Sequence, residues 1–212
     1  MYIELWHSRD VSPRRYSSPG RDAAAAQTRE RIVAAAATIL GTAEGIHDFS
    51  LDAVAKVAGV TRLTVYNQFG SRRAVLDAVF DQVALRGGLH RLADALALAD
   101  PHAALRQTIG IFCDFWSFDP GALGLLHAAG STNQEFAASV TERNERRRKL
   151  FAAIIRRLEL RPKLQRDLVD VLFALTSFPF FAQLTTGGRS AAAAARMVQE
   201  LADDAVRRAE NE

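Results

Sequence analysis

From Thr28 onward, apolar side chains recur every three to four positions, the spacing that gives an α-helix one apolar face. Ile32, Ala36, Ile39, Leu40 and Ala43 form the first such face, and Gly45 is expected to end it. Leu51, Val54, Ala55 and Ala58 form a second, opened by Ser50 at the N-cap position and stopped by Gly59. Thr61 is placed to cap a short third helix that closes at Gly70. Ser71 is placed to cap a fourth, carried by Val75, Leu76, Val79, Phe80 and Val83 up to Gly87-Gly88. Asp100-Pro101 and Asp119-Pro120 each join a capping carboxylate to a proline in the first turn, marking two later starts. A long helix is predicted over 132–158, and another from Pro162 to Gly187-Gly188, kinked at Pro179. A last helix runs from Ser190 into the tail. No run alternates with period two, and no hairpin or solenoid-length repeat is present. The pattern predicts an all-α protein of about nine helices.

Residues 1–27 lack this periodicity. They hold two prolines, several serines and four arginines (Arg9, Arg14, Arg15, Arg21) against three acids. A disordered N-terminal arm is expected there, with a basic arm lying along nucleic acid as the alternative. The arm lacks the basic-then-apolar order of a signal peptide. Hydrophobic residues make up 49% of the chain and charged ones 24%, a balance that supports a soluble fold with a sizeable core. The net charge of +3 leans only weakly toward an anionic partner. The single cysteine, Cys113, excludes an intramolecular disulfide, fits a cytoplasmic location and is expected to be a buried apolar residue. The longest uncharged stretch, 171–188, is diluted by Thr176, Ser177, Pro179, Gln183, Thr185 and Thr186. A membrane span needs about 20 predominantly apolar residues, so a buried helix and no membrane partner are expected.

The stretch GVTRLTVYNQFGSRR, residues 59–73, combines polar groups, two aromatics and no acid. Together with the preceding helix it gives a capped helix, a short turn containing Gly59 and a second capped helix over 50–69, the spacing of a helix-turn-helix. Val54, Ala55, Ala58, Val60 and Val65 are placed to pack inward. Arg62, Leu63, Thr64, Asn67 and Tyr66 then face outward, and these side-chain types can meet base edges and phosphates in a major groove. Ser50 and Arg72, at the starts of flanking helices, are placed to meet phosphates. A plain helical hairpin would show the same pattern of caps.

The order S-L-D-A-V-A-K-V-A-G-V-T-R-L-T-V-Y-N-Q-F-G-S-R-R-A-V-L resembles the DNA-binding domain of the TetR/AcrR family of bacterial transcriptional regulators over roughly residues 28–80. The resemblance implies that Ser50 is a phosphate-contacting hydroxyl and that Thr61, Arg62, Leu63, Thr64, Tyr66 and Asn67 are contact positions of the recognition helix. Arg72 matches the family's phosphate-contacting lysine. Gln68 stands where the family often has histidine, which puts one backbone contact in doubt. Arg73 stands where it often has glutamate, which adds local positive charge. Residues 81–212 are then an effector-binding and dimerisation domain. The expected function is a regulator, a repressor that binds a palindromic DNA operator as a homodimer and is released by a small apolar effector. The alternative is a helical small-molecule-binding or adaptor protein with a non-functional helix-turn-helix.

In the C-terminal half, Leu164, Leu168, Val171, Leu175 and Phe178, then Ala194, Met197, Val198, Leu201 and Ala205, form apolar faces suited to a four-helix dimer interface or to the chain's own core. Phe112, Phe115, Trp116, Phe118, His127, Phe173 and Phe180 are candidate pocket walls. ERNERRRKL, residues 142–150, reads as a solvated helix face. Nucleophile-elbow, phosphate-loop, zinc-protease and dinucleotide motifs are absent. No enzyme activity, metal or cofactor is expected.

Overall fold

A computed structural model of the chain describes residues 19–42 and 45–212, and every regular element in them is helical. The first, α1 (Pro19–Leu40), begins nine residues before the apolar periodicity does. Its leading turns, residues 20–27, are exposed. They are helical by propensity rather than packing, because Ala23–Ala26 are the best helix formers and Asp22 favours the positive end of the helix dipole. The expected arm is thus corrected over 19–27, and its remainder lies outside the described residues.

After a short turn of helix, α2 (Gly45–Asp48), come α3 (Leu51–Ala58), α4 (Arg62–Phe69) and α5 (Arg72–Arg86). Each of these three begins with a hydroxyl cap: Ser50 accepts from Ala53 N, Thr61 from Thr64 N and Ser71 from Ala74 N. Each such cap stabilises its helix by about 1 kcal/mol. The turn between α3 and α4 needs Gly59 at φ 65°, and there Val60 N reaches back to Ala55 O at 3.0 Å to close the helix end. Ile32, Ala36, Val54, Val65, Val75 and Leu76 are fully buried and form the core of this head. Leu126, Ala129 and Phe136, from much later in the chain, complete it, so the head is sealed by the body behind it.

The body follows two glycines and a 3-10 turn at Leu89–Arg91. It consists of α6 (Leu92–Ala97), α7 (Pro101–Phe118), α8 (Pro120–Thr132), α9 (Gln134–Ile155), α10 (Pro162–Leu175), α11 (Phe178–Thr186) and α12 (Ala191–Asn211). Asp100, Asp119 and Ser190 cap α7, α8 and α12, and the chain turns by 95° at Asp119-Pro120 between α7 and α8. The twelve α-helices among the described residues exceed the number expected because long apolar runs are broken. In particular, 162–188 is two helices bent by 48° rather than one kinked helix. Ser177 accepts from Phe180 N, and Pro179 lies in the first turn of the new helix, where its missing N–H costs nothing. Helices α7, α9, α10 and α12 share a second core that includes Ile109, Phe112, Phe151, Ile154, Leu172 and Val198.

Of the apolar faces on α10 and α12, Leu168, Ala194 and Val198 are buried in this core, whereas Val171 and Leu201 are 43% and 40% exposed. Cys113 is buried, and burial pushes its thiol up to about 12. Among the described residues no single helix is long and apolar enough to cross a membrane. The pairs α7–α8 and α10–α11 reach that apolar length only across their bends.

Candidate nucleic-acid interface

Helix α4 buries Val65, half-buries Thr64, Gln68 and Phe69, and leaves Arg62, Leu63, Tyr66 and Asn67 exposed. Leu63 and Tyr66 are 65% and 56% exposed, unusually open for apolar groups of their size on a short helix. Thr61, Arg62 and Asn67 are exposed beside them, and Thr64 is half-buried. The Thr64 hydroxyl lies 2.9 Å from that of Thr61, so the cap and its neighbour hold each other. Arg62 Nε lies 3.4 Å from the Asp52 carboxylate, with both side chains about 70% exposed. Such a pair is worth little in water and exchanges readily for a phosphate or a base edge.

Behind this face α4 is clamped to α1. Arg31 donates to Ala58 O at 2.6 Å and Gly59 O at 3.3 Å, pinning the turn. Arg29 donates to Gln68 O at 3.0 Å and lies 4.0 Å above the Phe69 ring. Gln68 itself is half-buried at the edge of the face. Ser50, also half-buried, is occupied as the cap of α3.

Arg72 sits differently from the outward residues. Its side chain is 29% exposed, and its guanidinium lies 4.8 Å from the Phe136 ring, 5.6 Å from the Phe49 ring and 3.8 Å from the Glu135 carboxylate. It therefore ties the start of α5 to α9. Arg73 is not the added positive charge expected of it: its guanidinium pairs with Glu142 and lies 3.6 Å from Asp77. One turn on, Asp77 accepts from Ser139 and from Arg143, each at 2.7 Å, and Arg143 also reaches Asp81 at 2.9 Å. Burial pushes the Asp77 carboxyl up, but the hydrogen bonds from Ser139 and Arg143 outweigh it and hold the group below its usual value. These contacts make a continuous polar seam between α5 and α9.

The other side of α5 faces a cavity of about 400 Å³. Phe80, Asp81 and Ala84 of α5 form one wall, with Phe112, Phe115 and Trp116 of α7 and His127 of α8 opposite. Phe173 and Phe178 close it from α10 and α11. Trp116 donates to Thr176 O at 2.9 Å, and the His127 ring lies 5.7 Å from Phe178. Phe180 is not on the wall but packs against the second core, and Phe118 is exposed beside Arg86. The break before α11 resets the helical register, so Phe178 faces the cavity where a continuous helix was expected to present Phe180.

ERNERRRKL is a solvated face only in part: Glu142, Glu145, Arg146 and Lys149 are exposed. Arg143 and Arg147 line the cavity together with the exposed Arg146, and Arg147 is 7% exposed. Sequence reasoning misses Arg143 and Arg147. The signal is the stripe Phe136, Val140, Arg143, Arg147, Leu150, Ile154, in which the arginines occupy inward positions at helical spacing.

A capped helix-turn-helix whose second helix is exposed is the local arrangement of helix-turn-helix DNA-binding folds. Residues 32–79 match the family described as bacterial regulatory proteins, tetR family. A stretch of 57 residues, 27% of this chain, is 46% identical to the HTH-type transcriptional regulator SrpR of Pseudomonas putida. An equal stretch is 46% identical to TtgW, an uncharacterized HTH-type transcriptional regulator of the same species. The matches span 26% and 42% of those relatives' own lengths. In fold, 85% of the chain superposes on 96% of a TetR-like transcriptional regulator from Rhodococcus sp. RHA1, with a TM-score of 0.63 at 21% identity. Residues 32–79 are thus similar to the DNA-binding domain of the tetR family, and the chain shares the fold of TetR-like proteins.

Proposed function

We propose that the protein is a ligand-responsive repressor that binds a palindromic operator as a homodimer and is released by a small, largely apolar effector. One observation carries the proposal: α4 presents an exposed, acid-free face, and the helix that follows it, α5, forms a wall of the cavity. Thr61, Arg62, Leu63, Thr64, Tyr66 and Asn67 enter the major groove. Ser50, Gln68 and Arg72 serve the phosphates at its edges, Arg72 after releasing its contact with Glu135. Residues 28–80 are the DNA-binding unit and 81–212 the effector and dimerisation unit.

The coupling follows from packing. An effector between α5 and α7 presses on Phe80 and Ala84. Because α5 is tied to α9 through Asp77 and Arg143, it shifts as a body and carries α4 with it. In a dimer, recognition helices fit half-sites about 34–36 Å apart, so a small rotation of each head spoils the fit. Effector and DNA then oppose each other by the same factor in both directions. Val171 and Leu201, exposed on adjacent α10 and α12, supply apolar surface for the second subunit.

Selection of duplexes from a random library by the full chain tests this. An enriched palindrome with half-sites one helical turn apart is expected. Failure to enrich any sequence, with the protein folded and the salt moderate, overturns the DNA-binding assignment.

A further inference from the structure

We propose that the cavity takes a small amphipathic carboxylate, with its apolar body among the aromatic rings and its carboxylate on the guanidinium of Arg147. The inference rests on the regulator function proposed above and names the chemistry of the effector.

Arg147 is buried, and its Nε has no hydrogen-bond partner among the described residues. Its other nitrogens meet only neutral groups: Thr176 O, at the carboxyl end of α10, and Asn144 Oδ1 at 3.4 Å. Thr176 O also accepts from Trp116, so that carbonyl is shared. The guanidinium lies 4.3 Å from the Phe173 ring and 5.9 Å from Phe112, an apolar setting in which a charge is ordinarily matched by an opposite one.

The surrounding ionic groups do not supply that match. Asp81, the acid on the wall, is paired with Arg143, Arg148 is paired with Asp170 outside, and Arg146, also on the wall, is a further cation at its exposed edge. Burial, and then the charge of Arg148, push Arg147 down to about 10, which still leaves it charged at neutral pH. A neutral ligand would leave this charge uncompensated, and a cationic one would add to it. A small hydrophilic anion would waste the rings. An anionic head on an apolar body satisfies both features, and guanidinium–carboxylate pairing is the strong form of such a bond.

Isothermal calorimetry on the full chain without DNA tests the assignment with matched probes: 4-phenylbutyrate against 4-phenylbutanamide, and octanoate against octanamide. At least one carboxylate is expected to bind roughly tenfold or more tightly than its amide. Arg147→Met should abolish that preference by weakening the carboxylate while sparing the amide. Arg147→Lys, which keeps the charge and covers a failure of the methionine variant to fold, should retain part of it. Equal binding of both members of each pair, a preference that survives in the methionine variant, or no binding of any probe to the wild type overturns the proposal. DNA release is read separately by fluorescence anisotropy. Carboxylate binding that leaves DNA affinity unchanged supports this site and contradicts the regulatory coupling. Release by carboxylate and amide alike upholds the coupling and contradicts the site.

Discussion

The head and the body place their polar groups in opposite ways. In the head, Arg62, Tyr66 and Asn67 point to solvent, and the apolar residues between them form an ordinary core. In the body, three arginines of α9 line the cavity, and two of them, Arg143 and Arg147, lie over phenylalanine rings. Recognition of a large polyanion needs exposed donors on a rigid frame. Recognition of a small molecule needs a dry recess with few polar groups, and there a single charge dominates. Helix α5 packs in the core of the head and also lines the cavity, so the proposed coupling would run through it.

The contrast can be broken most severely at the shared core. Phe136 is fully buried, lies 5.7 Å from Phe49 in an edge-on contact and supports Arg72. Phe136→Ala should cost about 3–5 kcal/mol in urea unfolding. If head and body are one cooperative unit, tryptophan fluorescence and far-ultraviolet circular dichroism will move together. Separate transitions would show that the head stands alone.

Gly87→Ala probes the cavity without touching the head face. A Cβ there would sit 2.5 Å from the Phe115 ring, so the wall must shift. A loss of about 1–3 kcal/mol is expected, with weaker effector binding by calorimetry and unchanged affinity for operator DNA. Ser71→Ala removes the cap of α5 and should cost about 1 kcal/mol, measured by thermal melting.

The seam between the two regions should respond least. The Asp77 carboxyl is held below its ordinary value of 3.8 in the folded state, so its stabilising effect is complete above that pH. It is lost as pH falls through the folded value. The stability gap between wild type and Asp77→Asn should be constant from pH 7 to pH 5 and shrink toward pH 3. Partial exposure keeps the gap below about 1 kcal/mol.

How much of this was legible in the sequence follows the same division. The head was readable because its determinants are local: Ser50, Thr61 and Ser71 each cap a helix a few residues away, and Gly59 closes one. The body's helix starts at Asp100, Asp119 and Ser190 were readable for the same reason. What escaped depends on distant partners. Arg73 looks like surplus charge until α9 brings Glu142 to it across 69 positions. Arg147 looks solvated because hydrophobic periodicity counts every arginine as polar, and only the packing of α7, α10 and α11 around it buries it. The exchange of Phe180 for Phe178 has a local origin that periodicity overrode: the Ser177 cap and Pro179 start a new helix within one apolar run.

The exposed face of α4 is where the proposed function stands or falls. Fluorescence anisotropy on a duplex enriched by the wild type, and on a scrambled duplex of equal length, would compare that protein with the double variant Tyr66→Ala, Asn67→Ala. The wild type should prefer the enriched duplex by roughly a thousandfold or more. The variant, equally stable in a thermal melt, should lose most of that preference while keeping its affinity for the scrambled one. An undiminished preference in the folded variant would contradict the assignment of α4 as the element that reads DNA.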